Sequence, residues 1–122
     1  MNAILGRQGE ELAGEYLQRL GYRILCRNYR IAHGEIDLIA EHLGVLVFIE
    51  VKTRSGELFG NPFDAITRKK QIQLSKVALD YILRHNMMNA AARFDAVAVY
   101  MRHDRPARIE IVKNAFDLCY GI

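Results

Sequence analysis

The stretch that decides the fold is VLVFIEVKTRSG, Val45 to Gly56. The apolar run Val45 to Ile49 reads as a buried strand, and it continues without a break into Glu50, Val51 and Lys52. A buried carboxylate and a buried ammonium are costly unless other groups compensate them, so the rest of the chain has to bring partners to that end of the strand.

The nearest source is GEIDLIA, residues 34 to 40. Alternation along a strand puts Glu35 and Asp37 on one face and Ile36 and Leu38 on the other. A turn at Leu43 and Gly44 makes this strand the antiparallel neighbour of Val45 to Arg54, which sets Asp37 beside Glu50 and gathers two carboxylates and Lys52 at one end of the pair. Two close, buried carboxylates repel, and a divalent cation removes the conflict. Mg²⁺ or Mn²⁺ suits the place: Mg²⁺ takes oxygen ligands, keeps several waters and uses one or two carboxylates together with substrate phosphate. Asp37, Glu50, the Val51 carbonyl and a phosphodiester oxygen form such a set. Lys52 beside it would orient or deprotonate an attacking water, or stabilise charge on the phosphoryl group. The plainer alternative is an ion cluster of Asp37, Glu50 and Lys52 that serves stability alone, since the tripeptide ExK is common.

Working outward, residues 5 to 20 form an amphipathic helix, with Leu5, Leu12, Ala13, Tyr16, Leu17 and Leu20 on one side and Gly21 as its end. Gly9 lies in the apolar stripe, where it permits close approach to a sheet; Glu10 lies at the stripe's edge and Glu11 points away. Strands follow at Tyr22 to Tyr29, Glu35 to Glu41 and Val45 to Arg54. The polar, glycine-rich segment SGELFGNP is a loop at the mouth of any cleft. Thr67 caps a second helix that runs to Arg84, with a main stripe of Leu74, Val77, Ala78, Tyr81 and Ile82 and a lesser one of Ile72, Leu79 and Leu83. Arg93 to Met101 and Ala107 to Val112 are the last two strands. The expected fold is α/β, in the order α-β-β-β-α-β-β, with a mixed sheet covered on both sides and the fourth strand parallel to a neighbour across the second helix.

The chain has 122 residues, of which 51% are hydrophobic and 25% charged, which suits one domain spanning 1–122. No run is long and apolar enough for a membrane span and the start lacks a signal peptide's pattern, so the expectation is a cytoplasmic protein with no membrane partner. Cys26 and Cys119 are too few and too far apart for a disulfide framework or a cysteine zinc site. The four histidines, His33, His42, His85 and His103, show no ligand spacing and read as turn or surface residues. An excess of 17 Lys and Arg over 14 Asp and Glu gives +3, which favours an anionic partner, and Arg68, Lys69, Lys70 and Lys76 cluster on the second helix.

Together, GRQGEELAGEYL, GEIDLIA, FIEVKTRS and RFDAVAV resemble the YraN-type family of small bacterial proteins over nearly the whole chain. Their order is also similar to archaeal Holliday-junction resolvases and the wider restriction-endonuclease-like superfamily. The resemblance implies metal-dependent cleavage of phosphodiesters on a central mixed sheet flanked by helices. It matches Asp37 to the superfamily's strand acid, Glu50 and Lys52 to its ExK pair, and Glu10 to the acid on the first helix. Ile36 stands where a proline is frequent, and a glutamine and tyrosine pair found in some relatives is not reproduced after Gln71.

The expectation is therefore a Mg²⁺- or Mn²⁺-dependent endonuclease acting on DNA. Asp37, Glu50, Lys52 and Glu10 form its centre, Val51 lends a carbonyl, and Lys70, Arg54 and Arg68 contact phosphates. Glu35 is expected to pair with a nearby arginine, and Asp95 to pair with Arg93 or to support the site. Two rivals stand beside this: a nucleic-acid-binding module that keeps the fold without catalysis, and an interaction protein whose lesser apolar stripe meets a partner, which includes a second copy of the protein.

Overall fold

In the computed structural model, which describes residues 3–55 and 61–119, the decisive stretch is β3, Val45–Ser55, the middle strand of a five-stranded sheet. The elements run α1 Ala3–Arg19, β1 Arg23–Ile31, β2 Gly34–His42, β3, a 3-10 turn Pro62–Ala65, α2 Arg68–Arg84, β4 Ala92–Met101 and β5 Arg108–Phe116. Strand order follows the chain, β1-β2-β3-β4-β5. The β3/β4 pair alone is parallel, and α2 lies between those strands in the chain, as a crossover requires. This is the expected α/β order, and it accords with a restriction-endonuclease-like arrangement.

Both faces of β3 are covered. Ala13 and Leu17 of α1 pack with Leu38, Ala40, Val47, Ile49, Val97 and Val99. On the other face Leu74, Val77, Ala78, Tyr81 and Ile82 of α2 pack with Ile39, Phe48 and Phe94. Alternation along β3 then turns Glu50 and Lys52 toward α2, while Thr53 faces α1. Gly9 is buried directly against Thr53, and a methyl group there would overlap the threonine side chain. Thr67 caps α2, its hydroxyl accepting from the Lys70 N–H at 3.2 Å. Residues 56–60 of the expected loop lie outside the described residues.

Several expectations need correction. Helix α1 ends at Arg19, so Leu20 sits past its end and is 46% exposed; Gly21, with φ 95, turns the chain into β1. The last strand spans Arg108–Phe116 instead of ending at Val112, because it resumes pairing beyond a register shift opposite Phe94 and Ala96. On β2, Ile36 packs in the α2 layer and Leu38 in the α1 layer, so they do not share a face. The β2/β3 ladder ends at Leu38↔Ile49. Beyond it β2 is paired only with β1, where Asn28 has φ 52, and a two-stranded ribbon freed from a wider sheet twists more strongly. His42 is no surface residue either: it is buried and stacked on Tyr22, with ring centroids 4.1 Å apart.

Candidate active site

The parting of β2 from β3 creates the site. Where the ladder stops, the Val51 N–H has no strand opposite, and the Asp37 side chain supplies the acceptor through Oδ2 at 2.7 Å. Asp37 thus occupies the gap between two strands. Beside it stands Glu50, only 6% exposed, whose charge bears on the Asp37 carboxyl. Burial, and then the Glu50 charge, push Asp37 up to about 9, while the Val51 N–H acts the other way. At neutral pH the Asp37 carboxyl therefore keeps its proton.

The other side of Glu50 meets two cations. Lys52 Nζ lies 3.4 Å and Lys70 Nζ 3.6 Å from Glu50 Oε2, the first from the same strand and the second from the opening turn of α2. The Glu50–Lys70 contact was not foreseen from the sequence, where Lys70 is read only as a phosphate contact. Glu10 comes from the α1 side. Its Oε1 accepts from Asn28 Nδ2 at 2.8 Å, and its charge makes a small further contribution to raising Asp37. Asn28 was not singled out in the sequence; an Asn tolerates the left-handed backbone found there, the one local signal available. Glu10, Arg7, Arg27, Asn28 and Arg30 line a cleft of about 730 Å³ between α1 and the β1–β2 ribbon. Glu35 also borders it and pairs with Arg30 at 2.7 Å, as expected. Arg54 and Arg68 flank the group in sequence: Arg54 donates to the neighbouring Thr53 carbonyl and Arg68 is exposed at the start of α2.

A second carboxylate makes the contrast that gives Asp37 its meaning. Asp95 also stands at a break in a ladder, between β4 and β5, where its Oδ1 accepts the Asn114 N–H at 3.0 Å. It is fully buried and fully compensated: Arg93 donates to it at 2.9 Å and the Tyr22 hydroxyl at 2.8 Å. Burial, then Asp95, raise the Tyr22 phenol to about 12, so it stays a donor. Burial and the Arg93 charge lower His42, whose neutral Nδ1 takes an Arg93 N–H at 3.0 Å. Asp95 therefore pairs with Arg93 in a closed network. Asp37 does the same backbone task, but among the described residues it makes no ion pair with Lys, Arg or His, and the charge that acts on it most is that of another acid.

The donors on hand are oxygens alone, which is the set Mg²⁺ or Mn²⁺ accepts. Among the described residues no three His, Cys, Asp or Glu side chains converge as a ready-made cage. Asp37 and Glu50 would therefore be supplemented by the Val51 carbonyl, by Glu10, or by water and substrate oxygens.

A family model described as "Uncharacterised protein family UPF0102" matches residues 9–99, which include Glu10, Asp37, Glu50, Lys52 and Lys70. A UPF0102 protein of Geobacter sulfurreducens is 47% identical over 119 residues, covering 98% of this chain and 93% of the relative. One from Syntrophus aciditrophicus is 43% identical over 120 residues, covering 98% and 94%. Another, from Symbiobacterium thermophilum, is 45% identical over 116 residues, covering 95% and 98%. The match spans both carboxylates, the lysines and the sheet that holds them, and the chain belongs to the UPF0102 family, the YraN-type family that its motifs resemble.

Proposed function

We propose that the protein is a metal-dependent nuclease that hydrolyses phosphodiester bonds in DNA, with branched or damaged DNA among its candidate substrates, and that it acts in the cytoplasm. The observation that carries this reading is the meeting of two acids, Asp37 and the buried Glu50, in the gap between β2 and β3. Nothing in the fold requires it, since the Asp95 network shows the same backbone need met without conflict.

Asp37 and Glu50 would hold Mg²⁺ or Mn²⁺, with the Val51 carbonyl and Glu10 completing the shell. The ion, when bound, supplies a Lewis acid for the phosphoryl oxygen and a bound water of lowered pKa. The protein's own groups do the rest. The Val51 N–H keeps Asp37 aimed into the gap. Lys52, held 3.4 Å from Glu50, orients the attacking water and offsets the charge that builds on the phosphoryl oxygens. Lys70, Arg54 and Arg68 attract the phosphate backbone, which makes binding fall steeply with salt. The described residues offer one such centre per chain, so coordinated cutting of two strands would use two copies.

The test is a panel of labelled linear, nicked, single-stranded and branched DNA incubated with purified protein and Mn²⁺. Cutting is expected on at least one substrate and is expected to vanish in Glu50→Ala. Uncut DNA throughout, or undiminished cutting by Glu50→Ala, removes the proposal. One observation favours the non-catalytic nucleic-acid module: Lys52 and Lys70 already neutralise Glu50 within the chain. That reading expects salt-sensitive DNA binding that needs no metal and is unchanged by Asp37→Ala.

A further inference from the structure

Three features stand outside the carboxylate pair: the α1-side cleft, the Tyr22–Arg93–Asp95 network, and the second lysine at Glu50. The cleft balances its arginines with Glu10, Glu11 and Glu35, so its charge selects no ligand. The network is internally satisfied. The lysine is not explained by either role assigned to its neighbours.

Lys70 has an odd position for a residue that serves folding. The first turn of a helix carries the positive end of the peptide dipoles, so a lysine there is slightly destabilising. Helix α2 places Arg68, Lys69 and Lys70 in that turn with no acidic residue among them. Lys70 nevertheless turns inward, its side chain 33% exposed, and reaches the same Glu50 oxygen, Oε2, that Lys52 already meets. One carboxylate oxygen therefore carries two ammonium groups, while the acid beside it has none.

On this geometry we infer that Lys70 is a displaceable counter-ion, which stands in for the cation at Glu50 and passes to a substrate phosphate when the cation binds. The inference rests on the metal-dependent reading above and adds the regulation of that site. An ammonium group at Glu50 Oε2 and a divalent cation on the same carboxylate repel, so each weakens the other's hold. A lysine on a flexible stem at the helix start can leave, whereas Lys52 is fixed on the central strand between Val51 and Thr53, both buried. The released ammonium faces the ligand that the helix start already favours, a phosphate. Lys70 is a positioning residue here, and its two roles alternate: free protein keeps both ammonium groups against Glu50, and loaded protein gains a phosphate contact.

Two measurements on whole, purified protein test this. Calorimetric titration with Mn²⁺ alone compares the parent with Lys70→Gln, Asp37→Asn and Lys76→Gln, the last removing an equal charge from an exposed position on the same helix. Lys70→Gln is expected to bind Mn²⁺ about 3- to 10-fold more tightly than the parent, Lys76→Gln to change it less than 2-fold, and Asp37→Asn to lose binding. DNA binding is then followed against salt concentration with and without Ca²⁺. The log–log slope of Lys70→Gln is expected to be shallower by about 0.9 with Ca²⁺ and unchanged without it. Equal or weaker Mn²⁺ binding by Lys70→Gln, alongside Mn²⁺ binding that Asp37→Asn abolishes, overturns the counter-ion while leaving the metal reading intact. The same slope change with and without Ca²⁺ overturns the exchange of roles. A parent that binds no Mn²⁺, or an Asp37→Asn variant that binds it as well as the parent, overturns both readings. Thermal melting of each variant shows whether it is folded, and Lys70→Met replaces Lys70→Gln if the latter is not.

Discussion

Asp37 is pulled two ways in one side chain: it closes the hydrogen bond of Val51, which favours its charged form, and it stands buried beside the Glu50 charge, which opposes it. A carboxyl whose folded-state pKa is raised contributes stability that is present below its unfolded value near 4 and is lost as pH rises toward about 9. The metal-free protein should therefore lose stability steadily between those limits. Asp37→Asn keeps the acceptor for Val51 and supplies a neutral donor to Glu50, so the amide variant is expected to be more stable than the parent at pH 7 by about 1–3 kcal/mol. Urea unfolding with a chelator present, across pH 4 to 9, checks both claims. A parent profile that is flat or rises with pH would remove the raised carboxyl from the account. Asp37, Glu50 and Lys52 were legible in the sequence because a strand that is apolar on both sides and then turns ionic has few benign explanations. The pairing of Lys70 with Glu50 was not, because it depends on where the start of α2 lands over β3, which no local pattern encodes.

Among the elements, α1 and α2 show how much periodicity reveals. The stripe of α2 was readable in full, and the Thr67 cap fixed its start. Gly9 also declared itself, as the small residue in an otherwise apolar stripe. Its contact with Thr53 sets the height of α1 above β3, and hence where Glu10 stands relative to the gap. Gly9→Ala is expected to cost about 1–3 kcal/mol despite the better helix propensity of alanine, because both the helix and the strand would have to shift. A denaturation midpoint equal to or above the parent's would contradict that contact. The elements that misled were those with irregular pairing. β5 runs past the expected end at Val112 through Lys113 and Asn114, two polar residues of which Asn114 has a left-handed backbone. The face change on β2 depends on losing β3 as a neighbour, a non-local event that strict alternation cannot anticipate.

At the scale of the whole molecule, the sheet differs between its two ends. Near the start of β4 the layers are tied by Tyr22, His42, Arg93 and Asp95, contributed from β2, β4 and the segment before β1. Toward the end of β3, beyond the last ladder pair, the Asp37 side chain bridges β2 and β3. Amide hydrogen exchange should divide accordingly, with the Val51 amide opening earlier than those of Val47 and Ile49 on the same strand, and slowing when Mn²⁺ is added. Uniform protection along β3, unaffected by Mn²⁺, would contradict this division. Among the described residues no helix is long and apolar enough to cross a membrane. Leu83 is 54% exposed, so the lesser stripe of α2 is left partly open.

The break in the β2/β3 ladder has a mechanical corollary. A seam stitched firmly at one end and by one thread at the other widens in one direction only. Thermal motion is then channelled into the crevice where the acids meet, and the remainder of the sheet serves as a stiff spine against which that crevice can breathe.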